Sequence, residues 1–128
     1  MGIPVSPRNI FPSNIQGLPT WYEVRISEDG YLGRCDNVDL LIAMNEQTIK
    51  EDIKDVIPGG YVLYDSSKVL ANALVRENVN YLPIPLKDIC LHEFPNPAQR
   101  QLFKNIVYIG ALAAFLKIDF KILTSMVS

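Results

Sequence analysis

At 128 residues the chain is one domain's length, and its 48% hydrophobic and 20% charged residues are those of an ordinary globular protein with a single sizeable core. A net charge of −2 and a pI near 5.3 give no electrostatic footprint for nucleic acid or an anionic membrane surface. One histidine and two distant cysteines, Cys35 and Cys90, exclude a tetrahedral zinc site of the usual ligands and a four-thiolate iron–sulfur centre. Separated thiols without a CxxC pair read as buried or incidental cysteines of a reducing compartment. With no basic and apolar leader pattern, and with the longest apolar run (Ile106 to Leu116) too short to span a bilayer, the expected location is the cytoplasm.

Gly2 to Ser6 opens the chain as a short apolar segment, which Pro4 limits to the start of a strand or a sheet edge. It has no polar leader, as though another element should precede it. The stretch Phe11 to Tyr22 follows, with Pro12 and Pro19 stiffening it and Gly17 permitting a turn or a close approach. A stiff polar loop between apolar anchors is a candidate binding loop. The alternative is an ordered crossover connection. Trp21 to Ile26 alternates like a strand, with Tyr22, Val24 and Ile26 on one face. Ser27-Glu28-Asp29-Gly30 then carries a hairpin signal, so Tyr31 to Arg34 is expected to return antiparallel.

Val38 to Met44 is a nearly continuous apolar run, as in a parallel strand covered on both faces. Asn45 ends it and is expected to N-cap a helix bearing Ile49, Ile53, Val56 and Ile57, which Pro58-Gly59-Gly60 stops. Tyr61 to Tyr64 reads as the next strand, closed by Asp65-Ser66-Ser67, where a serine is more in keeping with a helix cap than a nucleophile. A weaker segment, Val69 to Glu77, leads to a strand from Val79 to Leu86 that exits into a proline-marked loop. Asn96, Pro97 and Gln99 mark the start of a long helix. Its Ile106 to Leu116 portion is apolar all round and is expected to be buried on most of its circumference, with Gly110-Ala111 and Ala113-Ala114 as small faces. Ile118 to Val127 forms a further short segment.

Strands alternating with helices predict an α/β layered domain whose mostly parallel sheet is flanked by helices. Ligands of such sheets gather at the carboxyl ends of the strands, here Asn45, Asp65-Ser66-Ser67 and Pro83 to Leu86. His92 beside Glu93 is read as a surface histidine, and Cys90 with His92 as a structural thiol rather than a nucleophile with its base. Neither GxGxxG nor GxxxxGK[ST] is present. The residues thus make no complete active site, and a catalytic role would consist of a loop lent to a site that another chain completes.

Phe11-Pro12-Ser13-Asn14-Ile15-Gln16-Gly17-Leu18-Pro19-Thr20-Trp21-Tyr22-Glu23-Val24-Arg25 closely resembles a signature of the gamma-type domain of 2-oxoacid:ferredoxin oxidoreductases. The form is similar to that of the large (alpha) subunit of the 2-oxoglutarate-type enzymes. Further matches are Val38 to Leu41, Ala43 to Asn45, Gln47-Thr48, Pro58 to Tyr61, Leu63 to Ser66 and Gln101 to Leu112, so the resemblance spans essentially the whole chain; Leu91-His92 departs from it. It implies a Rossmann-like fold and a part in coenzyme A-dependent oxidative decarboxylation of a 2-oxoacid, with electrons passed to ferredoxin. It also implies that thiamine diphosphate, Mg2+ and the iron–sulfur clusters are held by other domains or subunits, among them a thiamine-binding beta subunit, and none by this chain alone.

By matching position, the resemblance puts Pro12, Ser13, Asn14, Gln16 and Gly17 near the substrate pocket, over the thiamine site. Ser13 and Asn14 would donate hydrogen bonds to a carboxylate or carbonyl oxygen, and Gly17 would allow close approach. Asn45 and Asp65 are secondary candidates, and no catalytic or metal-ligating residue is assigned. For each the alternative is loop architecture, and for Asn45 a helix cap. The family domain begins with a strand, a small-residue loop and a helix ahead of the point matching Met1, and it continues past Ser128. Residues 1–128 are therefore expected to be a single partial gamma-type domain, shortened at both ends, with an unpaired sheet edge. The competing readings are a non-catalytic α/β interaction domain, an inactive gene fragment and, third, a small nucleotide-binding enzyme.

Overall fold

The computed structural model describes residues 4–10, 21–31, 33, 36–45, 47–68 and 74–127, which fall into two units on either side of Asp36/Asn37. In the first, β1 (Val5–Ile10) and β2 (Trp21–Ile26) pair antiparallel, from Val5 opposite Ile26 to Ile10 opposite Trp21. A two-stranded ribbon leaves each strand an unpaired side, which is where Pro7 is tolerated. The alternation along β2 is present, but Tyr22, Val24 and Ile26 are 64%, 50% and 62% exposed, so this apolar face is not a core face.

The Asp-Gly turn forms; of the return strand expected over Tyr31 to Arg34, Leu32 and Arg34 lie outside the described residues. Gly30, at φ +74°, donates its N–H to the Ser27 carbonyl at 3.2 Å. Tyr31 then gives its N–H to the Ser27 hydroxyl and accepts from the Arg25 guanidinium, each at 3.2 Å. Both backbone groups of Tyr31 are thus taken locally, and neither Tyr31 nor Gly33 is in a strand. The partner of β2 is the strand before it.

The second unit holds a three-stranded parallel sheet in the order β3 (Val38–Ala43), β4 (Val56–Asp65), β5 (Asn80–Ile84). Period-two alternation sorts its side chains into two cores. Leu41, Val62 and Tyr81 lie side by side across the strands and pack with Ile53, Val56 and Val79. Ile42, Leu63 and Leu82, one residue on, form the other face and pack with Leu86 and Tyr108. The sheet is therefore covered by helices, as the pattern of elements predicts for an α/β layered fold.

The expected helix after β3 is cut short. It consists of α1 (Ile49–Asp52) and a single 3-10 turn (Ile53–Asp55), and Val56 and Ile57 already belong to β4. Pro58 disfavours helical geometry in the residue before it, and two β-branched residues gain more in a strand. One guanidinium replaces the missing helical hydrogen bonds: Arg76 Nη1 donates to the carbonyls of Ile53 at 3.0 Å and Val56 at 2.8 Å. Tyr81 ties down the neighbouring chain, accepting from the Arg76 N–H at 3.0 Å and donating to the Leu74 carbonyl at 2.8 Å.

Pro58-Gly59-Gly60 lies inside β4 rather than ending a helix. Val38 faces Val56 and Leu40 faces Tyr61, so β4 advances five residues against two on β3, and the surplus bulges. Gly59 adopts φ +82°, donates to the Asn78 carbonyl at 2.7 Å and accepts from the Asn80 side chain at 3.0 Å. At Gly60 an added Cβ would come 2.7 Å from Val56 Cγ1 and 2.9 Å from the Ile57 carbonyl oxygen. The bulge closes on itself at that point.

The loop expected after β5 is a helix, α2 (Leu86–Glu93), and its signal is the spacing of Leu86, Ile89 and Cys90. α3 (Pro97–Phe115) starts as expected, with Asn96 Oδ1 accepting from the Ala98 N–H at 3.0 Å and Pro97 in first place. It is not buried on most of its circumference. Tyr108 and Ala113 are buried, whereas Ile106, Ile109 and Leu116 are 45%, 48% and 53% exposed, because α3 meets the sheet with one face only. α4 (Phe120–Val127) completes the chain with Phe120 and Ile122 exposed.

Gly60→Ala is expected to lower unfolding free energy in urea melts by about 1–3 kcal/mol, an overpacking cost. Gly33→Ala, where nothing lies within 4 Å of the new methyl, should stay within about 0.5 kcal/mol.

Candidate functional site

Because β3, β4 and β5 run parallel, their carboxyl ends, at Ala43, Asp65 and Ile84, share one edge. Asp65 is 3% exposed there, and such burial of a carboxylate demands partners. Its Oδ1 accepts from the Ser67 N–H at 3.1 Å and the Ser67 hydroxyl at 2.8 Å. The aspartate thus organises the turn, where the sequence pointed to a serine cap. Its Oδ2 lies 3.2 Å from Lys104 Nζ. That approach is an ion pair, and Oδ2 has no further partner among the described residues. Burial pushes the carboxyl's pKa up. The two Ser67 donors and the Lys104 ammonium outweigh it and hold the pKa below its ordinary value.

One turn beyond Lys104, Tyr108 sits on the same side of α3 and donates its hydroxyl to the Ala43 carbonyl at 3.3 Å. Burial raises its pKa above the ordinary 10, and the Asp65 charge raises it further, against a smaller backbone contribution from Asp65. At neutral pH the edge therefore holds an ionised aspartate and a neutral tyrosine, both committed. Neither is poised to move a proton. Beside them opens a cleft of about 240 Å³, lined by Ser67, Lys87 and Cys90 of α2, and Arg100 and Lys104 of α3.

The principal sequence candidates Pro12, Ser13, Asn14, Gln16 and Gly17 lie outside the described residues. Asn45 is exposed and does not cap α1: its Oδ1 accepts from the Gln47 N–H at 3.0 Å, while Thr48 holds the cap position. Two intervening residues put its carboxamide at a local turn rather than at the helix start. Asp65 stands at the carboxyl edge as expected. Cys90 is a buried free thiol, and Cys35 lies outside the described residues. His92 Nδ1 and Glu93 Oε1 meet at 2.9 Å, and both are exposed, as the surface reading requires. Sequence reasoning missed Arg100, Lys104 and Tyr108, whose four-residue spacing on a well-capped helix was the available signal.

A family model described as pyruvate ferredoxin/flavodoxin oxidoreductase matches residues 1–128, the full length of the sequence. The chain belongs to that family. No curated protein matches it. Enzymes of the pyruvate ferredoxin/flavodoxin oxidoreductase family are multi-domain or multi-subunit oxidoreductases whose holoenzymes use thiamine diphosphate and iron–sulfur clusters. The residues here do not fit an iron–sulfur cluster. A cluster wants four thiolates and the sequence has two cysteines, one of them buried. The buried strand-end carboxylate is already engaged by Ser67 and Lys104, so it is not a free ligand for the metal of a diphosphate. No described helix is long and apolar enough to cross a membrane.

The depressed pKa of Asp65 fixes the sign of its pH dependence: its contribution is complete above the ordinary 3.8 and is lost as pH falls through the lower, folded value. Asp65→Asn should cost about 1–3 kcal/mol at pH 7. It should also flatten the acid limb of stability against pH in denaturant melts.

Proposed function

We propose that residues 1–128 form a gamma-type domain of a 2-oxoacid:ferredoxin oxidoreductase of the 2-oxoglutarate type. The observation that carries this reading is the family match along the whole chain together with the Phe11–Arg25 signature within it. In the assembled enzyme the loop lies over the thiamine diphosphate of a partner subunit. There Ser13 and Asn14 donate hydrogen bonds to the substrate's carboxylate or carbonyl oxygen, flanked by Pro12, Gln16 and Gly17. The reaction is oxidative decarboxylation with transfer to coenzyme A, its electrons leaving through iron–sulfur clusters to ferredoxin in the cytoplasm. Mg2+ and both cofactors are held outside this chain. The apolar side chains left exposed on α3 and α4, among them Ile106, Ile109 and Phe120, suit a domain that other parts of an assembly cover.

The chain alone is expected to show no 2-oxoacid-dependent ferredoxin reduction. Reconstituted with its thiamine-binding subunit, it should turn over 2-oxoglutarate in preference to pyruvate. Ser13→Ala and Asn14→Ala should each lower kcat/KM by about tenfold, the loss of one hydrogen bond in a water-poor site. Full activity in both variants would refute the loop's role, and a preference for pyruvate would refute the substrate type.

A further inference from the structure

The cleft at the carboxyl edge of the parallel sheet is built for negative charge. Lys87 enters it from the first turn of α2, and Arg100 and Lys104 enter from the first two turns of α3, with Ser67 at the exit of β4. Three cations against one carboxylate leave an excess of positive charge. Asp65 offsets Lys104 alone, and only through Oδ2, since Oδ1 is turned to Ser67. Arg100 is fixed by neutral groups, donating from Nε to the Phe94 carbonyl at 2.7 Å and from Nη2 to the Pro95 carbonyl at 2.8 Å. No described carboxylate pairs with Arg100 or Lys87.

The helix geometry adds to the side chains. α2 begins behind Pro85 with no side-chain cap, so its first N–H groups, those of Leu86 and Lys87, have no helical acceptor. This N-terminus, the positive end of the helix dipole, borders the same cleft, where Leu86 and Lys87 are lining residues. The acidic residue of that turn, Asp88, is exposed and is not part of the lining. Buried Leu86 and Cys90 form apolar wall, which lowers the local dielectric and strengthens charge interactions. At about 240 Å³ the cleft is smaller than sites for drug-sized ligands, which start at roughly 300 Å³. Its size suits one charged group.

We propose that this cleft binds the oxyanion group of a small ligand, a phosphate or a carboxylate, with Lys87, Arg100 and Lys104 as its charged partners. The site uses no residue of Phe11–Tyr22 and does not depend on which oxoacid the enzyme uses. Binding can be read without turnover, so its failure leaves the oxidoreductase reading untouched.

The test is titration of the full chain, in separate arms, with inorganic phosphate and with succinate. Amide chemical shifts are followed by NMR, with chloride at matched ionic strength as the control. Saturable shifts at Ser67, Lys87 and Arg100 in either arm, absent with chloride, are expected. Response to phosphate alone assigns a phosphate group, response to succinate alone a carboxylate, and response to both a general oxyanion site. Lys87→Glu, at an exposed position, should weaken the binding about tenfold or more without unfolding the chain. Arg100→Lys keeps the charge and loses the fork, and should weaken it less. No saturable shift in either arm, or binding unchanged in Lys87→Glu, would overturn the proposal.

Discussion

β4 is hydrogen-bonded in parallel to β3 on one side and to β5 on the other, and this double pairing sets the position of everything around it. Three carboxyl ends are brought level, so that residues separated by some twenty positions in sequence meet along one edge. Two cores are created at once, since each strand sends alternate side chains to opposite faces. A slip of one residue in β4 would exchange Val62 with Leu63 and spoil both cores together. The bulge at Pro58–Gly60 absorbs the length mismatch with β3 before the aligned stretch begins, leaving the register of residues 61–65 undisturbed.

At the edge so formed, Asp65 does for the site what β4 does for the sheet. Its buried carboxylate draws together the turn at Ser67 and, through Lys104, the second turn of α3. With Tyr108 held on the Ala43 carbonyl, α3 is anchored over two strand ends by two side chains one turn apart. A buried charge of this kind adds little net stability, but removing either partner is costly, so it serves to fix geometry. Lys104, one of the cations that line the cleft, owes its placement to this anchoring.

The α/β class, strands near Trp21, Val38 and Val79, and the Asn96-capped helix were legible because each has a local cause: alternation, an apolar run or a cap. What was not legible depended on partners outside the segment being read. Ile53, Val56 and Ile57 have helical spacing, yet Pro58 and a place beside β3 draw Val56 and Ile57 into a strand. Tyr31 had a hairpin turn before it, yet Ser27 and Arg25 took its backbone groups. The apolar run of α3 predicted burial, but hydrophobicity does not state how many faces a helix will find covered. In the site, Asp65 was visible as a strand-end carboxylate, whereas Lys104 and Arg100 became meaningful only once α3 was laid across that edge.

The Arg76 guanidinium bonded to the carbonyls of Ile53 and Val56 has a consequence for the order of assembly. It spans 20 to 23 residues of chain, so those carbonyls stay hydrated until the segment leading to β5 has returned. α1, only four residues long, cannot persist alone through that interval. The crossover from β3 to β4 therefore cannot complete these hydrogen bonds until Arg76 has returned to it, and is closed from behind by the next crossover.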